Sequence, residues 1–168
     1  MYKAMFLIAF DGFLHVGEFT VVSTKKESHC LQISDIGWSS DGFVIKFRSY
    51  KHSVPSVVEN ISVSPQSGNT CPVYHLQKFL PVRGAQKGCL FINPSGTPVA
   101  RSQFTEALHG ALSFVGLSPM KYKGHSFRIG AATWALQLGK SDAQIRSSGC
   151  WHSNAFLKYI RPDNSCLK

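Results

Sequence analysis

Apolar residues in the first segment of the chain recur every three or four positions. This spacing predicts a largely buried helix over residues 2–16 that ends near Gly17. The positions that carry it are Met5, Ile8, Ala9, Gly12 and Val16. From about residue 29 to residue 63 the pattern changes to one typical of half-buried strands. The stretches CLQISDIGW, FVIKFRS and VVENISVS, separated by the turn SSDG and a short loop at residues 51–55, predict three short antiparallel strands.

Helical spacing returns in the second half of the chain. Residues 73–80 follow Pro72, which suits the first turn of a helix, and the stretch CLFIN predicts one more strand. Further helices are predicted over the stripe Phe104, Leu108, Leu112 and Val115 and over residues 127–138, 142–147 and 153–160. The predicted helix starts are Ser102, Ser141 and Ser153, and the predicted stops are Gly116 and Gly139. The fold class is therefore α+β, a mainly helical domain with a small three-stranded antiparallel sheet.

The length and the charge of the chain restrict its class. A chain of 168 residues fits one compact domain, and 43% hydrophobic residues supply enough material for its core. Lysine and arginine total 18 against 9 acidic residues, which gives a net charge of +9. Residues 121–168 hold 8 of the basic and 2 of the acidic side chains. We expect a nucleic acid to bind most strongly to this C-terminal third. A basic surface that only confers solubility is an equal alternative at this point.

The cysteines and the apolar start of the chain exclude several classes. The 5 cysteines lie far apart and form no C-x-x-C pair, which argues against a disulfide framework or a zinc finger and favours a reducing, intracellular compartment. The apolar run at residues 5–10 is stopped by Asp11, so it is too short to span a membrane, and it lacks the cleavage site of a signal peptide. We expect no membrane association.

The first stretch with chemical content is KYKGHSFRIGAATWALQLG. Here His125 and Arg128 are three residues apart at the start of a predicted helix and so share a face, with Lys121 and Lys123 just upstream. A helix N-terminus favours an anion, and arginine adds a two-pronged donor that fits a phosphoryl group. An isolated H-x-x-R is more often a surface pair at a helix end, so the residues that follow decide.

The order of the motifs after this stretch is more specific. SDAQIRSSGCWHSNAFLKYIR contains a Gly-x-Trp turn at Trp151, with Tyr159 eight positions later. Together with GHSFRIGAAT, this order resembles the catalytic domain of the tyrosine recombinase (phage integrase) family, specifically the recombinases of eukaryotic mobile elements. The resemblance covers nearly the whole chain, from AMFLIAFDGFL through FRSYKHS, CPVYHL and RSQFTEAL to the tyrosine. It implies the fold of the DNA breaking-rejoining enzymes and a function in DNA recombination and integration.

The resemblance also implies a role for each site residue. Tyr159 is expected to attack a DNA phosphodiester and form a 3′-phosphotyrosine intermediate. Arg128 would bind the non-bridging oxygens, His125 would take or hold the proton, and Trp151 would donate its indole N–H or pack the tyrosine segment. Lys51 matches a lysine on a β-hairpin that acts as general acid. No metal and no small-molecule cofactor is implied.

The implied partner is double-stranded DNA in a nuclear setting. The side chains expected to contact it are Lys121, Lys123, Arg146, Lys158 and Arg161. A homo-oligomer on DNA is a further expectation, although only seven residues follow Arg161, which leaves little chain for an exchange between protomers.

Three features depart from the family pattern: the first two predict impaired catalysis, and the third predicts weak, salt-dependent DNA binding. His15 occupies the position of the first family arginine in the match FLHVGE, and histidine is mostly neutral near pH 7 and offers one donor toward a phosphate. Cys150 stands where the resemblance leads us to expect an arginine. The helical core-binding domain that precedes the catalytic domain in full recombinases is absent from residues 1–168, which we interpret as a single catalytic domain.

Other functions stay open at this point. A non-catalytic double-stranded DNA-binding module derived from a recombinase would explain His15 and Cys150, whereas the intact nucleophile argues against it. A type IB topoisomerase shares the chemistry, but the block at residues 151–159 matches integrases better. A metal or protein-interaction domain built on Cys150, His152 and His125 lacks the regular spacing of three or four ligands.

Overall fold

Six α-helices and three β-strands form the regular structure of the part of the chain that the computed structural model describes, residues 1–22, 30–47, 59–151 and 153–161. The helices are α1 (Tyr2–Asp11), α2 (Val16–Phe19), α3 (Pro72–Arg83), α4 (Arg101–Phe114), α5 (His125–Gln137) and α6 (Asp142–Ser148). The strands are β1 (Ile36–Ser39), β2 (Gly42–Phe47) and β3 (Glu59–Val63). The predicted α+β class, mainly helical with a small three-stranded antiparallel sheet, is confirmed.

The helix predicted over residues 2–16 is in fact two helices. α1 ends at Asp11, where the Gly12 amide donates to the Ile8 carbonyl, and the chain then turns at Phe13 with a left-handed φ of 53°. A second short helix begins after His15, because the Glu18 carboxylate accepts the His15 amide at 2.6 Å. The continuous apolar spacing concealed this break, since the turn buries Phe13 and Leu14 as a helix would.

The sheet has the strand order β1-β2-β3, with both pairs antiparallel. Residues 33–35, predicted as strand, form a 3₁₀ turn in which the Asp35 carboxylate accepts the Gln32 amide. The predicted strand CLFIN at residues 89–93 is wrong: it makes only isolated bridges, Gln32 with Cys89 and Ile92 with Pro98. Its first two carbonyls instead accept hydrogen bonds from the buried guanidinium of Arg83, which therefore replaces a neighbouring strand.

Three features of the helical half differ from the prediction. α4 begins at Arg101 rather than Ser102, because the Gln103 side chain accepts the Ala100 amide. The predicted apolar stripe of α4 is buried only in its first half, and Val115 at its end is exposed. The last predicted helix is a 3₁₀ turn, Asn154–Tyr159. Helix starts at Ser141 and Ser153 are confirmed, and so are the stops at Gly116 and Gly139, both with φ of 74°.

Two neighbouring hydrophobic clusters form the core around the candidate site. In the larger one the ring of Phe104 lies 5.3 Å from that of Phe6, 5.2 Å from that of Phe19 and 5.7 Å from that of Phe127. The smaller one gathers Phe13, Ala131, Ala132, Ala135, Ile145 and Phe156. Because α5 borders both clusters, it places the residues of GHSFR against the first helices and the last turn of the chain. Across the described ranges, none of the helices has the length and apolarity that a membrane crossing requires.

We expect Phe104→Ala to lower the free energy of unfolding by about 3–5 kcal/mol, because the side chain is fully buried among three aromatic rings. Phe114→Ala on the same helix is the matched control, since Phe114 is 92% exposed and its loss should change stability by less than about 0.5 kcal/mol. Urea unfolding followed by circular dichroism measures both. Equal, small effects of the two substitutions would contradict this packing.

Candidate active site

The Arg128 side chain lies at the centre of the candidate site. It points inward from the first turn of α5 and is only 6% exposed. Its Nη1 donates to the Phe13 carbonyl and its Nη2 donates to the Gly149 carbonyl at 2.7 Å. The guanidinium carbon lies 4.2 Å from the centre of the Trp151 ring. One buried cation therefore joins the turn after α1 to the turn after α6.

Both of these turns contain a residue with left-handed backbone. Phe13 has a φ of 53° and Cys150 a φ of 52°, conformations that residues other than glycine rarely adopt. Phe13 supplies one of the carbonyls that bind Arg128, and Cys150 follows directly after the other at Gly149. A Cβ on Gly149 would overlap the Trp151 ring, so this turn also requires glycine.

Aromatic rings connect the remaining predicted residues to Arg128. The Tyr159 ring centre lies 5.3 Å from that of Trp151, 5.7 Å from that of His125 and 5.5 Å from the Arg128 guanidinium carbon. The His15 ring lies 5.5 Å from the His125 ring. The structure thus brings together five of the six predicted catalytic positions. The sixth, Lys51, lies outside the described residues.

Tyr159 is held at the end of the last 3₁₀ turn by contacts on both sides. Phe156, in the same turn, is fully buried in the smaller hydrophobic cluster. The Thr133 hydroxyl of α5 donates to the Tyr159 carbonyl at 3.4 Å and accepts the Arg161 amide at 3.0 Å. The backbone around the tyrosine is therefore attached to the helix that carries His125 and Arg128.

Burial affects the charged groups of the site unequally. Desolvation lowers the pKa of Arg128, while Glu18, Tyr159 and Cys150 act in the opposite direction. An arginine starts from a pKa so high that its guanidinium stays charged near neutral pH. The Arg128 Nε is buried and has no hydrogen-bond partner within the described ranges. A permanent, partly satisfied cation of this kind is suited to bind an anion.

The imidazole of His15 is neutral at pH 7. Burial, followed by the neighbouring charges of Arg128 and His125, lowers its pKa to about 4. Its backbone amide is held by Glu18, and its ring faces His125. At the position where the family pattern has an arginine, the site therefore has a neutral ring.

Two carboxylates complete the site, and no sequence motif indicated their roles. Burial raises the pKa of Glu18 to about 7, although the His15 amide and the charge of Arg128 lower it. Glu59, at the start of β3, accepts a hydrogen bond from Cys150. Burial, with Glu59 second, raises the pKa of the Cys150 thiol to about 12, so the thiol is neutral. Glu18 belongs to the FLHVGE match, but no local pattern marks Glu59, since only folding brings β3 to the turn after α6.

The residues predicted to contact DNA are placed less uniformly. Lys121, Lys123, Lys158 and Arg161 are exposed, and Lys123 comes two positions before His125. The Arg161 guanidinium donates to the carbonyls of Lys158 and Ile160, so part of its donor set is used within the chain. Arg146 is half-buried, with its guanidinium carbon 6.0 Å from the Phe156 ring centre, which makes it the least accessible of the predicted contacts.

The described part of the chain has no group of three or more histidine, cysteine, aspartate or glutamate side chains arranged to hold a metal ion. Of the residues considered for such a site, Cys150 hydrogen-bonds to Glu59 and His125 packs against Tyr159. His152 lies outside the described residues.

Comparison with known proteins identifies the fold. Neither a protein-family model nor a curated protein sequence matches the chain. A solved structure of the XerH site-specific recombinase bound to difH substrate, in a pre-cleavage complex, is similar with a TM-score of 0.65 at 16% sequence identity. The similarity covers 98% of this chain, which spans 44% of that chain. The chain therefore shares the fold of the part of this recombinase that it covers, which agrees with the fold that the sequence motifs predicted.

Glu18→Gln should reduce the loss of stability that the parent chain shows as the pH rises. The folded-state pKa of about 7 lies above the ordinary value of 4.5, so the folded protein keeps a proton that the unfolded chain releases, and stability falls between these pH values. We expect the change in unfolding free energy from pH 5 to pH 8 to differ between variant and parent by about 1–3 kcal/mol.

Urea unfolding at both pH values measures this difference. His15 contributes with the opposite sign, because its pKa is lowered, but it is present in both proteins and cancels. Glu106→Gln, on the exposed surface of α4, is the control and should follow the parent. Identical pH dependence for Glu18→Gln and the parent would refute the assignment of a buried, protonated carboxyl.

Proposed function

We propose that the chain binds double-stranded DNA and acts as a tyrosine-recombinase DNA strand transferase, with catalysis weakened by His15. The observation that carries this proposal is the buried Arg128 guanidinium, which packs against Trp151 and lies next to the Tyr159 ring, while the His125 ring also contacts Tyr159. A fixed cation beside a phenol is the arrangement that nucleophilic attack on a phosphodiester requires.

The proposed step exchanges one phosphorus–oxygen bond for another. The Tyr159 oxygen forms a bond to phosphorus while the bond from phosphorus to the 5′ oxygen breaks, which leaves a 3′-phosphotyrosine and a 5′ hydroxyl. His125 takes the phenol proton, and its exposed ring can pass that proton to solvent. The departing oxygen takes a proton from Lys51, a role that rests on the family resemblance alone. His125 and Lys51 therefore account for both proton transfers of the step, and we propose no metal or cofactor.

Arg128 would act on the charge that accumulates on the equatorial oxygens during this step. Hydrogen bonds to the carbonyls of Phe13 and Gly149 fix its guanidinium before any substrate binds. A donor that is already oriented costs no reorganisation when the reaction occurs, which is the main source of electrostatic stabilisation in enzymes. The exposed Lys121 and Lys123, just before α5, would contact the DNA backbone outside the reacting phosphate.

DNA as the substrate is supported by the similarity to a recombinase solved with its substrate and by the motifs shared with mobile-element recombinases. The same motifs support integration of a mobile element in the nucleus, with several copies assembled on one DNA. The basic C-terminal third is consistent with such a partner, because phosphate contacts by lysine and arginine supply most of the sequence-independent affinity.

The low catalytic rate that we propose follows from positive charge that the site lacks. With a pKa of about 4, His15 adds no positive charge at neutral pH where an arginine would add a permanent one. Loss of an arginine at a phosphoryl transition state costs about 10³ to 10⁵ in rate in other phosphoryl-transfer enzymes. The neutral Cys150 thiol adds no charge either.

A second candidate function is a non-catalytic double-stranded DNA-binding module. The low pKa of His15 favours it, because a site that cannot neutralise the reacting phosphate could still bind DNA through its basic surface. The two functions differ in one observable, a covalent bond between the tyrosine and DNA.

A nicked suicide duplex, which traps the covalent intermediate, should yield a small amount of adduct with the unmodified chain and none with Tyr159→Phe. The phenylalanine keeps the ring contacts with Trp151 and His125 but has no nucleophile. Denaturing gel electrophoresis and mass mapping of the labelled peptide measure the adduct. Adduct from Tyr159→Phe would overturn the nucleophile, and DNA binding without any adduct would establish the non-catalytic module. Robust adduct from the unmodified chain would contradict the impairment.

His15→Arg should increase the rate of adduct formation by at least about tenfold, because it restores a permanent charge beside Arg128. The control is His109→Arg in α4, a helix that contains none of the predicted catalytic residues, and it should leave the rate unchanged. Single-turnover kinetics on the suicide duplex separates this effect from binding. No change, or a decrease, with His15→Arg would show that position 15 does not limit the reaction.

A further inference from the structure

The side chain of Arg101, the first residue of α4, lies against α2. A Cβ placed on Gly17 would be 2.5 Å from Nη2 of Arg101, so the guanidinium occupies the space that any other residue at position 17 would fill. Gly17 is the second residue of α2 and lies between His15 and Glu18 in the chain. Arg101 thus places a permanent positive charge next to the helix that begins after His15.

Backbone contacts determine this placement. The Arg101 amide donates to the Val21 carbonyl at 2.9 Å, and the Val21 amide donates to the Val99 carbonyl at 3.0 Å. The Phe19 and Phe104 rings, one on each helix, pack edge to face at 5.2 Å. The start of α4 is therefore attached to the end of α2, and only the outer part of the Arg101 side chain can move.

The Arg101 guanidinium is exposed and forms no hydrogen bond or ion pair with the described residues. Its position does not stabilise α4, because a positive charge in the first turn of a helix opposes the helix dipole. Neither burial nor helix stability accounts for an arginine here, whereas an exposed guanidinium with unused donors is suited to bind a phosphate through two parallel hydrogen bonds.

α2 also contacts the segment that precedes His125. A Cβ on Gly124 would lie 2.5 Å from the Cγ2 of Val16, so the segment just before His125 packs on α2 as well. Lys123 is exposed and directly precedes this glycine. Arg101 and Lys123 therefore both adjoin the four-residue helix that follows His15.

We propose that Arg101 binds a backbone phosphate of the DNA duplex beside His15 and supplies part of the positive charge that the histidine lacks. This inference rests on the proposed function, since it requires that the duplex pass over the site. It assigns Arg101 as a binding residue, with Gly17 as the position that leaves room for its guanidinium.

Three variants test the proposal: Arg101→Gln removes the charge, Gly17→Ala keeps the charge but displaces the guanidinium, and Lys78→Gln removes one exposed charge from α3 as a control. Fluorescence anisotropy with a labelled duplex, repeated over a range of salt concentrations, measures affinity. We expect Arg101→Gln to weaken binding by about three- to tenfold and to reduce the slope of log K against log salt by about 1. Gly17→Ala should lose part of the affinity, and Arg101→Gln should cost less in its presence.

The outcomes separate this inference from the function on which it rests. If the parent chain binds the duplex and Arg101→Gln behaves as Lys78→Gln does, the role of Arg101 is overturned and the proposed function stands. A parent chain that binds no duplex overturns both. Thermal unfolding of each variant identifies a loss of fold. Arg101→Lys, which keeps the charge but loses the two parallel hydrogen bonds, should restore the salt slope of the parent and only part of its affinity.

Discussion

The buried guanidinium of Arg128 is the interaction on which the rest of the site depends. A charge removed from water must be compensated, and here the carbonyls of Phe13 and Gly149 and the face of Trp151 do so. Because these groups come from opposite ends of the chain, satisfying one cation also closes the site. The left-handed backbone at Phe13 and at Cys150 is the cost of directing both turns toward it.

The same burial determines which other groups carry charge. It raises the pKa of Glu18 to about 7 and lowers that of His15 to about 4, so each favours its neutral form around a cation that cannot become neutral. Cys150 follows the same rule, with its thiol bound to Glu59. An arginine at position 150 would therefore have the Glu59 carboxylate as a neighbour. Under the proposed function, position 15 is where the residue type changes the charge next to the reacting phosphate.

The predictions from sequence were confirmed where the local pattern of residues is compatible with only one type of secondary structure. The periodic stretches of α3, α5 and α6 and the three strands were found, as were the stops at Gly116 and Gly139, since glycine relieves a left-handed backbone wherever it occurs. They failed where a side chain from elsewhere in the sequence bonds to the backbone of the segment in question. The stretch at residues 89–93 is apolar enough for a strand, but the Arg83 guanidinium donates to its first two carbonyls. The break at Phe13 depends on the Arg128 contact far along the chain.

Residue types and their spacing were enough to indicate the available chemistry. They contain the order of His125, Arg128, Trp151 and Tyr159, a histidine at position 15 where the resemblance leads us to expect an arginine, and a basic C-terminal third. These are properties of residue type and spacing, which a motif records directly. Three further properties became visible only in the folded chain: the pKa of His15 is lowered to about 4, that of Glu18 is raised to about 7, and the Arg101 guanidinium lies on Gly17. Burial and through-space charge control these properties, and both depend on contacts between segments that are remote in the chain.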